Sequence, residues 1–193
     1  MGRPIHEMFD LIAGTSTGGI IAVAIGAGAN HGAPYPPADL VNSTSRTDRR
    51  FSRSIFTGVG KWFGPKYSPD ALERILLKFF GETELAPAKV PLLIGSYDIE
   101  NQIPFFFKSQ RIHANPNYKW KLRPSSTRDL GCADVLSASA GEEHHDSYTL
   151  VNGGVCVNNP AMAAYAEARH IYGDADYLVV SVGTGDWQDR LKI

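Results

Sequence analysis

The stretch Phe9-Asp10-Leu11-Ile12-Ala13-Gly14-Thr15-Ser16-Thr17-Gly18-Gly19-Ile20-Ile21-Ala22-Val23-Ala24-Ile25 decides how this chain is read. Phe9 to Ala13 is a short apolar run suited to a buried strand, Gly14 to Gly19 is small and turn-forming, and Ile20 to Ile25 begins an apolar helix. Strand, tight turn and helix follow one another without a spacer. The turn carries a Gly-x-Ser-x-Gly pattern over Gly14 to Gly18, and its weight comes from these flanks, because short glycine-serine strings recur in loops. A serine so placed occupies a sharp, strained bend, where Gly14 and Gly18 are expected to remove side chains that would collide with backbone. Ser16 is then expected to be exposed at a helix N-terminus, whose N–H groups and dipole favour negative charge on an attacked carbonyl. The competing reading is a phosphate-cradling turn or a plain glycine connection. It lacks the Gly-Lys-Ser/Thr ending of a phosphate loop.

Outward from this block, strands and helices mix along the chain, which predicts an α/β fold. Ser68-Pro69-Asp70 reads as a helix start leading to Leu76, Leu77, Phe79 and Phe80, with Gly81 placed to end it. Pro91 to Tyr97 and Ile103 to Phe107 read as two strands of a hairpin, joined by the polar turn Asp98 to Gln102. Tyr148 to Val151 is a further short strand, and Asn159-Pro160 opens a helix through about Tyr172. Tyr177 to Val182 is expected to be a buried strand ending in Gly183-Thr184-Gly185. Asn42 to Pro65 is the least regular part and reads as a surface loop or short helix. No repeat or linker divides the chain, so one domain over residues 1–193 is expected.

The 193 residues, 43% hydrophobic and 20% charged, suit a single globular domain with a core. No run reaches the roughly 20 apolar residues of a membrane-spanning helix, and Met1 to Asp10 lacks the pattern of a signal peptide. A cytoplasmic location, or one peripheral to a membrane, is expected. The net charge of -1 gives no global attraction to nucleic acid. Cys132 and Cys156 are too few for a disulfide framework or a cysteine-rich zinc site, and buried free thiols are expected.

The sequence resembles the patatin-like phospholipase family. The block from Phe9 to Gly19 matches that family's nucleophile block almost letter for letter. Lys66-Tyr67-Ser68, Ser96-Tyr97-Asp98, Asn152-Gly153-Gly154 with Asn158-Asn159-Pro160-Ala161, and Ser181-Val182-Gly183-Thr184-Gly185 follow in family order. The resemblance implies a three-layer α/β/α fold of the FabD/lysophospholipase-like type, with a mostly parallel central sheet. It also implies hydrolysis of lipid acyl esters by a serine–aspartate dyad, with membrane lipid or lysophospholipid as substrate and no cofactor. Ser16 takes the nucleophile position, and the dyad aspartate falls on Asn152.

That asparagine is the main departure from the family. A carboxylate can accept the serine proton, whereas a carboxamide has essentially no basicity near neutral pH. Three explanations stand side by side: an engineered inactivation, a natural pseudoenzyme, or another base such as Glu143, His144, His145 or Asp146. The Asn152-Gly153 pair is also prone to deamidation, which would regenerate aspartate. A second departure is at the N-terminus, where the family's first strand, glycine-rich loop and helix are not seen, so the domain is expected to be partial there. The third is Ser137 to His145, a charged replacement for a block that borders the acyl site in the family.

His113, His144, His145 and His170 are available as triad members, but each reads more simply as a surface or core histidine. Adjacent His144 and His145 would point to opposite faces of a strand and no spaced ligand set accompanies them, so no metal site is expected. Between residues 46 and 66 lie Arg46, Arg49, Arg50, Arg53, Lys61 and Lys66, interleaved with Phe51, Ile55, Phe56, Trp62 and Phe63. This cluster suits peripheral contact with an anionic membrane surface. A solvated loop with its aromatics turned into the core is the equal alternative.

Overall fold

Leu92, Leu93 and Ile94 are each buried, and the strand they begin carries the whole sheet in the computed structural model. The structure describes residues 3–27, 88–114 and 150–183. Within them, β1 (Ile12–Thr15), β2 (Leu92–Asp98), β3 (Ile103–Lys108) and β4 (Leu150–Asn152) form one four-stranded sheet. Three α-helices accompany it, α1 (Thr17–Gly26), α2 (Ser109–Ala114) and α3 (Ala161–Tyr172), with single 3-10 turns at Ile5–Glu7 and Gly153–Val155.

β2 is paired along both edges. On one edge β3 runs antiparallel, from Leu93 opposite Lys108 to Asp98 opposite Ile103. On the other, β1 runs parallel from Ile12 opposite Leu92 to Thr15 opposite Gly95. β4 pairs antiparallel from Ser96 opposite Asn152 to Asp98 opposite Leu150. A strand has two edges, and β3 fills one, so β1 and β4 share the other and run towards each other along it. Their C-terminal ends meet at Gly95 and Ser96.

The hairpin between β2 and β3 forms where the sequence places it. The carboxylate of Asp98, wholly buried, accepts from the backbone N–H of Glu100 at 3.0 Å and from the side-chain amide of Asn101 at 2.7 Å. This is the Asx-type turn that a short acidic side chain favours, and Gln102, at φ 57°, completes it in the left-handed region. α1 lies against β1 and β2 with Ala22, Val23, Ala24 and Ala27 buried. A side chain on Gly26 would reach within 2.6 Å of Leu92, so a small residue here lets helix and sheet approach. Lys108 on β3 forms a largely buried ion pair with Glu167 on α3, which ties that helix to the far strand.

α3 starts as the sequence indicates, with Asn159 Oδ1 accepting from the N–H of Ala161 at 3.0 Å, and it ends at Tyr172 before Gly173 at φ 73°. The first strand starts later than expected, at Ile12, and Phe9 is on the surface. The expected buried strand from Tyr177 to Val182 is not found. Residues 177–183 have no strand partner among the described residues, and Leu178 and Val182 are each 90% exposed. β-branched composition gives strand propensity, but a strand forms only where another edge is within hydrogen-bonding distance. Cys156, expected to be buried, is exposed. The helix from Ser68, the region 42–65 and Cys132 lie outside the described residues. Among the described residues no helix is long and apolar enough to cross a membrane.

Candidate active site

Ser16 sits where β1 ends and α1 begins, with φ 55° and ψ -126°. A non-glycine residue adopts positive φ only at a cost, and such strain collects at functional turns. Gly14 makes the bend feasible: a Cβ on it would fall 2.2 Å from the Gly18 carbonyl oxygen. The expectation for Gly18 does not hold in the same form, since a side chain there would meet nothing within 4 Å. Gly18 matters as the backbone that Gly14 approaches, while Gly19 is the second confined position, where a Cβ would come 2.9 Å from the Ile94 side chain. Ser16 is half-buried rather than fully exposed. Its carbonyl accepts from the N–H groups of Gly19 at 2.9 Å and Ile20 at 3.2 Å, which starts the helix.

Asn152 reaches Ser16 because of the shared edge of β2. Thr15 opposes Gly95 and Asn152 opposes Ser96, so residues 136 apart in sequence are brought side by side. Asn152 Nδ2 donates to Ser16 Oγ at 2.9 Å, and Asn152 Oδ1 accepts from the N–H of Gly154 at 2.8 Å. The chain turns away at once through the 3-10 turn Gly153–Val155. A Cβ on Gly153 would come within 2.3 Å of the Gly95 carbonyl oxygen, so this close backbone approach requires glycine. Ser96 Oγ secures β4 by donating to the Val151 carbonyl at 2.7 Å.

Gly95 was silent in the sequence, although a glycine inside an apolar strand signals close approach. A side chain there would stand 3.0 Å from Thr15 Oγ1. Cys156 lies just beyond the turn, its Sγ 3.6 Å from the carbonyls of Ser96 and Gly153, and partial desolvation raises its thiol pKa. His170 is exposed in the last turn of α3. The side chain of His113, and Glu143, His144, His145 and Asp146, lie outside the described residues. Among the described residues no group of three or more His, Cys, Asp or Glu is placed to hold a metal ion.

A strand, a strained serine turn and a helix, opposed by a second strand end bearing Asn-Gly-Gly, form this site, and the sequence family described as patatin-like phospholipase matches residues 3–165. The chain belongs to the patatin-like phospholipase family. Its α/β architecture is that of the family. It is 29% identical over 205 residues to patatin-like protein 4 of Arabidopsis thaliana, covering 94% of this chain and 50% of that protein. It is 27% identical over 205 residues to patatin-11 of Solanum tuberosum, covering 94% of this chain and 51% of that protein. It is also 27% identical over 197 residues to an Arabidopsis thaliana protein named "Probable inactive patatin-like protein 9", covering 94% of this chain and 51% of that protein. The chain thus spans about half the length of these curated patatin-like relatives.

Proposed function

We propose that this patatin-like chain carries the frame of a lipid acyl-ester hydrolase of phospholipase A or lysophospholipase type, with Ser16 in the nucleophile position and its general base lost at Asn152. The hydrogen bond from Asn152 Nδ2 to Ser16 Oγ, 2.9 Å long, carries this reading. In the working form of such a site Ser16 Oγ attacks the ester carbonyl while the group at 152 takes its proton. The tetrahedral intermediate then expels the alcohol with that proton, and water releases the fatty acid from the serine. A carboxamide cannot take the proton. Loss of the base costs about 10²- to 10⁴-fold in rate.

A second reading is a non-catalytic lipid-binding or interaction module of the same fold, and the donor direction of Asn152 favours it for the chain as it stands. One Arabidopsis relative is named "Probable inactive patatin-like protein 9", which is consistent with loss of activity within the family. In both readings the ligand is a membrane lipid or lysophospholipid, no cofactor is needed, and residues 1–193 act as one domain. The basic segment 46–66, outside the described residues, is the proposed membrane contact. The test compares hydrolysis of a short-chain nitrophenyl ester and of a phospholipid by the fresh chain, Ser16→Ala and Asn152→Asp. Ser16-dependent activity gained only with Asn152→Asp supports the silenced hydrolase. Activity already present in the fresh chain removes the claim that Asn152 silences it, and inactivity of all three, with lipid still bound, favours the binding module.

A further inference from the structure

β4 is three residues long, and Asn152 is its last. So short a ladder supplies few backbone bonds, and the chain leaves the sheet at once through the Gly153–Val155 turn. Yet the 2.9 Å contact between Asn152 and Ser16 spans two strand ends, and a working pair of this kind must keep its geometry to within about 0.5 Å.

What holds residue 152 is concentrated in one residue of β2. Ser96 stands opposite Asn152 in the register and is buried. Its Oγ donates to the Val151 carbonyl at 2.7 Å. That carbonyl and the Asn152 nitrogen belong to one planar peptide unit, so a bond that pins the oxygen also sets the direction in which the Asn152 Cα leaves the strand. The Ser96 carbonyl meets the other end of the turn, 3.6 Å from Cys156 Sγ, a weak donor. Between these two points the turn passes over the Gly95–Ser96 peptide, so closely that a Cβ on Gly153 would fall 2.8 Å from the Ser96 nitrogen. Ser96 thus grips the chain on both sides of Asn152, before it through a hydroxyl and after it through a backbone carbonyl. The N–H of Gly154 then orients the carboxamide itself.

We propose that Ser96 is a positioning residue of this site, acting on Ser16 only through residue 152. The placement is the same whether that residue is asparagine or aspartate, so only the kinetic half of the test rests on the hydrolase reading. Ser109 provides the control. It is also a buried serine, accepts from the Leu92 N–H at 2.9 Å, and closes the opposite end of β2, away from Ser16 and Asn152.

Two readouts test the assignment. In the parent chain, deamidation of Asn152 under native conditions, followed by peptide mass spectrometry over a long mildly alkaline incubation, reports how often the turn opens. Ser96→Ala is expected to speed it about tenfold, the worth of one buried hydrogen bond, while Ser109→Ala leaves it at the parent rate. In the Asn152→Asp background, Ser96→Ala is expected to lower kcat for the nitrophenyl ester about ten- to a hundredfold with KM unchanged, and Ser109→Ala to change neither. Ser96→Thr, which keeps the hydroxyl, is expected to hold both readouts at the level of its background. Faster deamidation in Ser96→Ala alone supports the assignment even where Asn152→Asp brings no activity, a result that would sink the hydrolase reading and not this one. A Ser96→Ala chain that deamidates at the parent rate, a Ser109→Ala chain that matches it in either readout, or a Ser96→Thr chain as defective as Ser96→Ala would each overturn it.

Discussion

The N–H of Gly154 fixes Asn152 by donating to its Oδ1 at 2.8 Å, and so decides what Ser16 meets. A backbone N–H can only donate, so it must face the carboxamide oxygen, and the amide nitrogen is left facing Ser16 Oγ. The serine oxygen therefore accepts in this pair. An aspartate in the same frame accepts from both Gly154 and Ser16, which reverses the direction of the bond and makes it productive.

The first prediction follows from that reversal. Asn152→Asp is expected to raise Ser16-dependent ester hydrolysis by about 10²- to 10⁴-fold over the parent chain, the usual worth of a positioned base. Steady-state kinetics with a nitrophenyl ester would check it. An equal rise in the Asn152→Asp, Ser16→Ala double variant would show that the serine is not the nucleophile.

Gly153→Ala probes the meeting of β1 and β4. Its Cβ would be placed 2.3 Å from the Gly95 carbonyl oxygen, and rigid backbone cannot yield as a side-chain end can. Overpacking of this kind costs about 1–3 kcal/mol. Thermal unfolding should show the loss, and in the Asn152→Asp background the gained activity should disappear with it.

The deamidation expected of Asn152-Gly153 should be slow in the folded chain. Attack by the Gly153 nitrogen on the side-chain carbon requires Asn152 to leave two hydrogen bonds and the 3-10 turn, held at its buried Gly153, to open. Peptide mass spectrometry after mildly alkaline incubation is expected to find Asn152 retained in native protein and converted in urea-unfolded protein. Equal conversion in both would show that the fold gives no protection.

Glu167 and Lys108 test the attachment of α3. The glutamate is largely buried, so Glu167→Ala leaves the lysine without its partner and is expected to cost about 3–5 kcal/mol in denaturant unfolding. Replacing both residues by apolar ones of similar volume should recover much of that loss, because the penalty comes from the uncompensated charge.

Tyr172 links stability to alkaline pH. Burial, followed by the nearby charge of Asp10, raises the pKa of its phenol, which keeps its proton and donates to the Asp10 carbonyl. A raised folded pKa gives stabilisation that is full below the ordinary tyrosine range of about 10 and is lost as pH rises through the folded value. Tyr172→Phe should lose up to about 1 kcal/mol at neutral pH and flatten the alkaline part of the stability profile. Denaturant unfolding from neutral pH to above the ordinary tyrosine range checks both.

The sequence by itself determined the local elements whose causes are local. Apolar runs and glycines announced β1, the Ser16 turn and α1. Polar turn chemistry marked the hairpin at Asp98, and Asn159-Pro160 marked the start of α3. Asn152 could be matched to a dyad position by resemblance, but its contact with Ser16 and the direction of their hydrogen bond depend on two strand ends meeting on one edge of β2. Only the tertiary structure decided that. It also decided that Tyr177 to Val182 has no strand partner among the described residues, since β propensity is a property of the segment, whereas a strand exists only when another backbone edge comes within hydrogen-bonding distance.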